Sequence, residues 1–180
     1  MRIDWEYYGA ECKGEALTIR GNNNKILNND FLIEETDQKQ YPFGTIKGLS
    51  IYGSNNLIDR NNILMTGTLY LYGMSIFYHN NTVINNYIEV NSIRYASGIA
   101  INGKSSNNTL RNNTVIVTTQ NQTLDNSGLI DAAYAIVITE GAYGGGTYNI
   151  PNSEMVGNII EENTKLDSAY RALCAACPKS

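Results

Sequence analysis

Residues 48–63, GLSIYGSNNLIDRNNI, align without a gap on residues 73–88, GMSIFYHNNTVINNYI, at a shift of 25 residues. A unit this short cannot bury a core alone, so a chain that repeats it must stack the copies. The next copy opens at the same shift with Gly98-Ile99-Ala100-Ile101. After a two-residue insertion it closes with Asn107 to Val115. An earlier copy runs through Leu17-Thr18-Ile19-Arg20-Gly21 and Lys25 to Phe31, and a degenerate later one through Ile136-Val137-Ile138 and Met155 to Ile160. Five copies are recognisable.

Within each copy the apolar residues alternate: Leu17/Ile19, Leu49/Ile51, Met74/Ile76, Ile99/Ile101 and Ile136/Ile138. Period two predicts strands with these pairs on the buried face, and no copy carries a helical period. Short strands joined by tight polar turns in units of this length predict a parallel β-solenoid. The chain holds 25 Asn, and one column of them is invariant. Two residues before the apolar position of the second strand stand Asn29, Asn61, Asn86, Asn113 and Asn158. The residue before each is Asn28, Arg60, Asn85, Asn112 or Gly157, mostly types that tolerate positive φ, so a left-handed bend is expected there. The Asn that follows is expected to stack on its counterparts, amide to amide, as a structural ladder.

This pattern resembles the right-handed parallel β-helix repeats of the pectin-lyase-like superfamily. It is most similar to the Asn-rich coils of NosD-like proteins and archaeal adhesin-like surface proteins, over residues 16–160. The resemblance implies an all-β, right-handed parallel β-helix of about five recognisable coils with terminal caps. The corresponding organisation is an N-terminal coil or cap at 1–15, β-helix repeats at 16–163, and a C-terminal tail at 164–180 whose Ser168 to Cys177 stretch suits a short helical cap. The family includes polysaccharide lyases, polygalacturonases and epimerases as well as many non-catalytic surface proteins.

A net charge of −4 gives no electrostatic footprint for nucleic acid or an anionic membrane. No apolar run approaches the ~18 residues of a membrane-inserting helix, and residues 1–16 show no signal-peptide pattern. Cys12, Cys174 and Cys177 form no disulfide framework, and one CxxC supplies only two of the four ligands of a structural zinc site. His79, the single His, reads as a turn residue. No metal, no cofactor and no catalytic residue is assigned. The clustered Asp with Gly-His-Gly of polygalacturonases is missing. Glu89 and Glu161 are expected in one column with Ile116 between them. The acidic residues best placed for chemistry are Asp125, Asp131 and Glu140, beside insertions at 34–44, 118–131 and 141–151.

Aromatic residues carry the functional expectation. Alternation points Arg20, Tyr52, Phe77, Asn102 and Thr139 outward in one column, with Tyr52 and Phe77 as neighbours. Tyr70 and Tyr95 share a second column, and Tyr72 and Tyr134 a third. An exposed aromatic patch marks a contact site and suits the C–H faces of sugars, so Tyr52, Phe77, Tyr70, Tyr72, Tyr95 and Tyr134 are the candidate carbohydrate-binding residues. The expected function is a non-catalytic, adhesin-like module, secreted or at the cell surface, that binds carbohydrate or another surface partner. The alternatives are a polysaccharide lyase or glycoside hydrolase, or a structural spacer. Glycosylation triplets begin at Asn80, Asn107, Asn112 and Asn121. Three of the four arise from the repeat itself.

Overall fold

The computed structural model describes residues 2–5, 12–35, 44–68, 70–102, 105–119, 133–139, 159–161 and 164–167. Every regular element in them is a strand. In chain order these are β1 (Arg2–Trp5), β2 (Cys12–Ile19), β3 (Lys25–Leu27), β4 (Asp30–Glu35), β5 (Gly44–Ile51), β6 (Leu57–Asp59), β7 (Asn62–Gly67) and β8 (Tyr70–Ile76). There follow β9 (Thr82–Ile84), β10 (Tyr87–Ser92), β11 (Tyr95–Asn102), β12 (Thr109–Arg111), β13 (Thr114–Thr119), β14 (Ala133–Thr139), β15 (Ile159–Glu161) and β16 (Thr164–Asp167).

Three parallel sheets collect every third strand, in the orders β14-β11-β8-β5-β2, β15-β12-β9-β6-β3 and β1-β4-β7-β10-β13-β16. Each turn of chain therefore gives one strand to each sheet, as the 25-residue repeat requires, and the result is a parallel β-solenoid. The register repeats the sequence alignment, with Leu17, Leu49, Met74, Ile99 and Ile136 pairing in one row. Inside, Leu49, Ile51, Ile58, Ile63, Met74, Ile76, Val83, Ile88, Ile99, Leu110 and Val115 are fully buried. Full burial of each such side chain contributes about 1.5–3 kcal/mol, which is what holds three thin sheets around one core.

Two left-handed bends recur in each of four successive coils among the described residues. Asn23, Asn55, Asn80 and Asn107 form the first column and Asn28, Arg60, Asn85 and Asn112 the second, all with φ between 55° and 61°. Arg60, an unfavourable type for this region, adopts it at 56° because its neighbours above and below fix the coil path. Its guanidinium is anchored to Asp59 at 3.0 Å.

The residue after each bend is the ladder rung. Asn29 donates its Nδ2 to Asn61 Oδ1 at 3.0 Å, Asn61 to Asn86 at 3.0 Å and Asn86 to Asn113 at 2.9 Å. The backbone N–H of each rung meets the same oxygen at 2.9–3.1 Å. Asn158, the expected fifth rung, lies outside the described residues. A second ladder runs beside the first. Asn24 donates to Asn56 at 3.0 Å and Asn56 to Asn81 at 3.1 Å, and the Asn81 N–H meets Asn108 Oδ1 at 2.9 Å. Outside the first bend a third column joins coils from side chain to backbone. Ser54 N–H donates to Asn22 Oδ1, His79 N–H to Ser54 Oγ, and Ser106 N–H to His79 Nδ1. His79 is thus a structural turn acceptor.

The last copy has a different register from the expected one. Ile160 pairs with Leu110 in the short sheet, and Thr164 pairs with Thr114. The alignment had matched Ile160 to Val115, a slip of five residues, the distance between the two ladders. Glu161 accordingly pairs with Arg111, and it is Leu166 that stands next to Ile116 in the Glu89 column. Strand β16 also carries the sheet beyond residue 163, into the segment expected as a tail, while the helical expectation for Ser168 to Cys177 lies outside the described residues.

Candidate functional site

The β14-β11-β8-β5-β2 sheet has longer strands than its neighbours, and each contains a bend at a small residue. A Cβ at Gly48 would stand 2.5 Å from the Gly73 carbonyl oxygen. One at Gly73 would stand 2.7 Å from that of Gly98, and one at Gly98 2.6 Å from that of Ala135. The bend shifts the in–out alternation by one. Before it Ile46 and Leu71 point inward and Lys47 and Tyr72 outward. After it Leu49 and Met74 are inward, while Ser50 and Ser75, on the opposite face, are buried as well. All six aromatic candidates fall on the outward face of this sheet.

Beyond the bend, Tyr52 and Phe77 stack face to face, with centroids 4.3 Å apart and planes 5° from parallel. The Arg20 guanidinium lies 5.2 Å from the Tyr52 centroid, and Lys47 Nζ lies 4.9 Å from the Phe77 centroid, both within cation–π range. The rings therefore stack one above the other as neighbours in one column, as expected. Before the bend, Tyr95 is the hub of a second cluster. It touches Tyr70 at 5.7 Å, Tyr72 at 5.3 Å and Tyr134 at 5.8 Å, with planes tilted by 31–46°. Arg94 adds a cation 5.4 Å from the Tyr70 centroid. Burial pushes the Tyr72 phenol up to about 12, against a smaller opposing effect of its hydrogen bond with Tyr95. Burial, then the neighbouring Tyr72 and Tyr134, hold Tyr95 well above the usual phenol range, and burial raises Tyr134 as well.

Between the two clusters lies a polar knot that sequence reading missed. The Glu15 carboxylate accepts from Thr18 Oγ1 at 2.6 Å, Tyr52 Oη at 2.8 Å and Lys47 Nζ at 3.2 Å. Partial burial pushes the Glu15 carboxyl up. The Thr18 and Tyr52 hydroxyls and the Lys47 ammonium outweigh that and bring it below its ordinary 4.5. Lys47 is only 7% exposed, a rare condition for lysine that requires a partner. The signal was available: Glu15 and Lys47 stand two residues before Leu17 and Leu49, in the same column as Tyr72 and Tyr134. Beside the knot the Ser50 and Ser75 hydroxyls are buried without a hydrogen-bond partner among the described residues.

The earlier acidic candidates Asp125, Asp131 and Glu140, with the three insertions that carry them, fall largely or wholly outside the described residues. Among the described residues no three His, Cys, Asp or Glu side chains are grouped to hold a metal ion. Asp59 and Arg111 share a column with Ile84 between them.

Fold and face together define a class: a parallel β-solenoid with internal Asn ladders and an aromatic, charge-studded outer sheet. No family model, curated protein or solved structure matches the chain.

Proposed function

We propose that this chain is a right-handed parallel β-helix of the pectin-lyase-like kind, acting as a non-catalytic, adhesin-like module in a secreted or cell-surface setting. The outer face of its β14-β11-β8-β5-β2 sheet receives carbohydrate. What supports the reading is the gathering of Tyr52, Phe77, Tyr70, Tyr72, Tyr95 and Tyr134 on one face, in adjacent strands. A saccharide chain laid along that face meets ring edges and the Tyr52 hydroxyl on one side of the bend. On the other side it meets the solvent-facing parts of the tyrosine cluster, whose hub, Tyr95, is largely buried. Lys47, Glu15 and Arg20 between and beside the rings supply the polar contacts that orient a ligand on an apolar surface.

A second reading, a polysaccharide-degrading enzyme, is favoured by one observation: the Glu15–Lys47–Tyr52 knot lies on the same face, an acid and a base beside aromatic rings. A glycan array combined with a polysaccharide-degradation screen separates the two. Binding without product, reduced at least tenfold in Phe77→Ala, is expected. Product formation would establish the enzyme instead, and silence in both assays would leave a structural spacer.

A further inference from the structure

The glycosylation triplets look alike in sequence but not in the folded coil. We propose that Asn80 and Asn107 are acceptors for N-linked sugar, one glycan per molecule shared between them, and that Asn112 is not an acceptor. The bends decide this. Asn80 and Asn107 occupy the same left-handed column at φ 58° and 55°, both are exposed, and neither side-chain amide has a hydrogen-bond partner among the described residues. The hydroxyl residues two positions on, Thr82 and Thr109, pair with each other in β9 and β12. They lie on the face opposite the buried Val83 and Leu110. Each triplet thus presents amide and hydroxyl to solvent, while its middle residue, Asn81 or Asn108, is buried in the ladder.

At the other bend Asn112 also precedes a buried rung, but its Nδ2 already donates to Asn85 Oδ1 at 2.7 Å. That nitrogen is the atom a sugar must take. Asn23 and Asn55 complete the first column and lack a hydroxyl two positions on, where Lys25 and Leu57 stand. The repeat explains why the triplets occur, and only the fold separates the usable pair from the rest.

In the transfer, the Asn Nδ2 attacks the anomeric carbon of an oligosaccharide activated as a lipid-linked phosphate ester. The C–N bond forms as the C–O bond to phosphate breaks, the lipid phosphate leaves with the bonding pair, and the nitrogen gives one proton to a base of the transferase. Neighbouring coils are about 4.8 Å apart, too close for two saccharides to stand side by side on Asn80 and Asn107. Occupancy at one therefore excludes the other.

The test is secretion of the full chain carrying Asn121→Gln from a host that transfers lipid-linked oligosaccharide, followed by intact-mass and glycopeptide mass spectrometry. One glycan per molecule is expected, divided between Asn80 and Asn107. Thr82→Ala should move it wholly to Asn107, Thr109→Ala wholly to Asn80, and the double variant should carry none. The Thr82→Ser/Thr109→Ser pair, which keeps both hydroxyls, should retain it, so a folding failure is distinguishable from loss of the site. A secreted, folded chain without sugar at either position would overturn the proposal, as would sugar on Asn112 or two glycans on one molecule at Asn80 and Asn107.

Discussion

Replacing Asn86 by alanine removes a buried ladder amide that bonds on every side. Its Oδ1 receives the Asn61 N–H at 2.9 Å and the Asn61 Nδ2 at 3.0 Å. Its own Nδ2 reaches the Ile58 carbonyl at 3.0 Å, the Ile84 carbonyl at 2.9 Å and Asn113 Oδ1 at 2.9 Å. The residue is 2% exposed, so water cannot take over. The Asn61 N–H loses its acceptor outright, and the Ile58 carbonyl and Asn61 amide each lose a partner. A buried polar group left unpaired costs about 1–3 kcal/mol, which places Asn86→Ala at about 3–6 kcal/mol, a large share of a domain's ~5–15 kcal/mol. Asn29→Ala is the internal control, since Asn29 makes the same ladder bond but is exposed at the ladder's end. Solvent replaces its lost partners, and its cost should stay below about 1.5 kcal/mol. Urea unfolding followed by far-UV circular dichroism gives both values from the midpoint at unchanged slope. Equal costs for the two variants would refute the idea that burial makes the ladder strong.

Gly73→Ala should destabilise by about 1–3 kcal/mol or more, because its Cβ would meet the Gly98 carbonyl at 2.7 Å and Ile88 Cγ2 at 2.6 Å. A thermal melt checks this. Glu15 gives an acid limit. Its folded-state pKa lies below 4.5, so its contribution is present above that value and disappears as pH falls through the folded pKa. Glu15→Gln should flatten this part of an acid unfolding curve. Lys47→Met should destabilise in the same urea titration, because removing one partner of a buried ion pair leaves the Glu15 carboxylate without its cation. The tyrosine cluster gives an alkaline limit. With Tyr72 raised to about 12, stability is full below pH 10 and is lost as pH rises from there toward 12, and Tyr72→Phe should reduce that loss in a spectrophotometric titration.

Much of this architecture is legible in the chain because a solenoid writes its geometry into a period. Leu49, Met74 and Ile99 occur 25 residues apart because they sit on one another. The left-handed bends at Asn28, Asn85 and Asn112 are equally visible, since few residue types tolerate them. The second ladder was harder to see: Asn55-Asn56 and Asn80-Asn81 look like turn residues, and only burial distinguishes Asn56 and Asn81, at 1% and 0% exposure, from the exposed partner before each. Two similar Asn steps five residues apart also explain the slipped register at Ile160, because either step satisfies a sequence match. The Glu15–Lys47 knot was hidden for another reason. Its two residues differ in type, and the column logic looks for likeness, whereas charge pairing across coils selects opposites. The aromatic columns were readable, but the face-to-face stack of Tyr52 on Phe77 depends on ring rotation, which alternation does not encode.

The central claim is that the second Asn of each pair is a ladder rung, buried everywhere but at the ladder's exposed end, and the first a solvent-facing bend. Hydrogen exchange of the side-chain amides, followed by NMR, addresses it residue by residue. The Nδ2 protons of Asn61 and Asn86 should exchange only through global unfolding, many orders of magnitude more slowly than those of Asn80 and Asn107. Comparable, fast exchange at all four positions would contradict the ladder and the fold built on it.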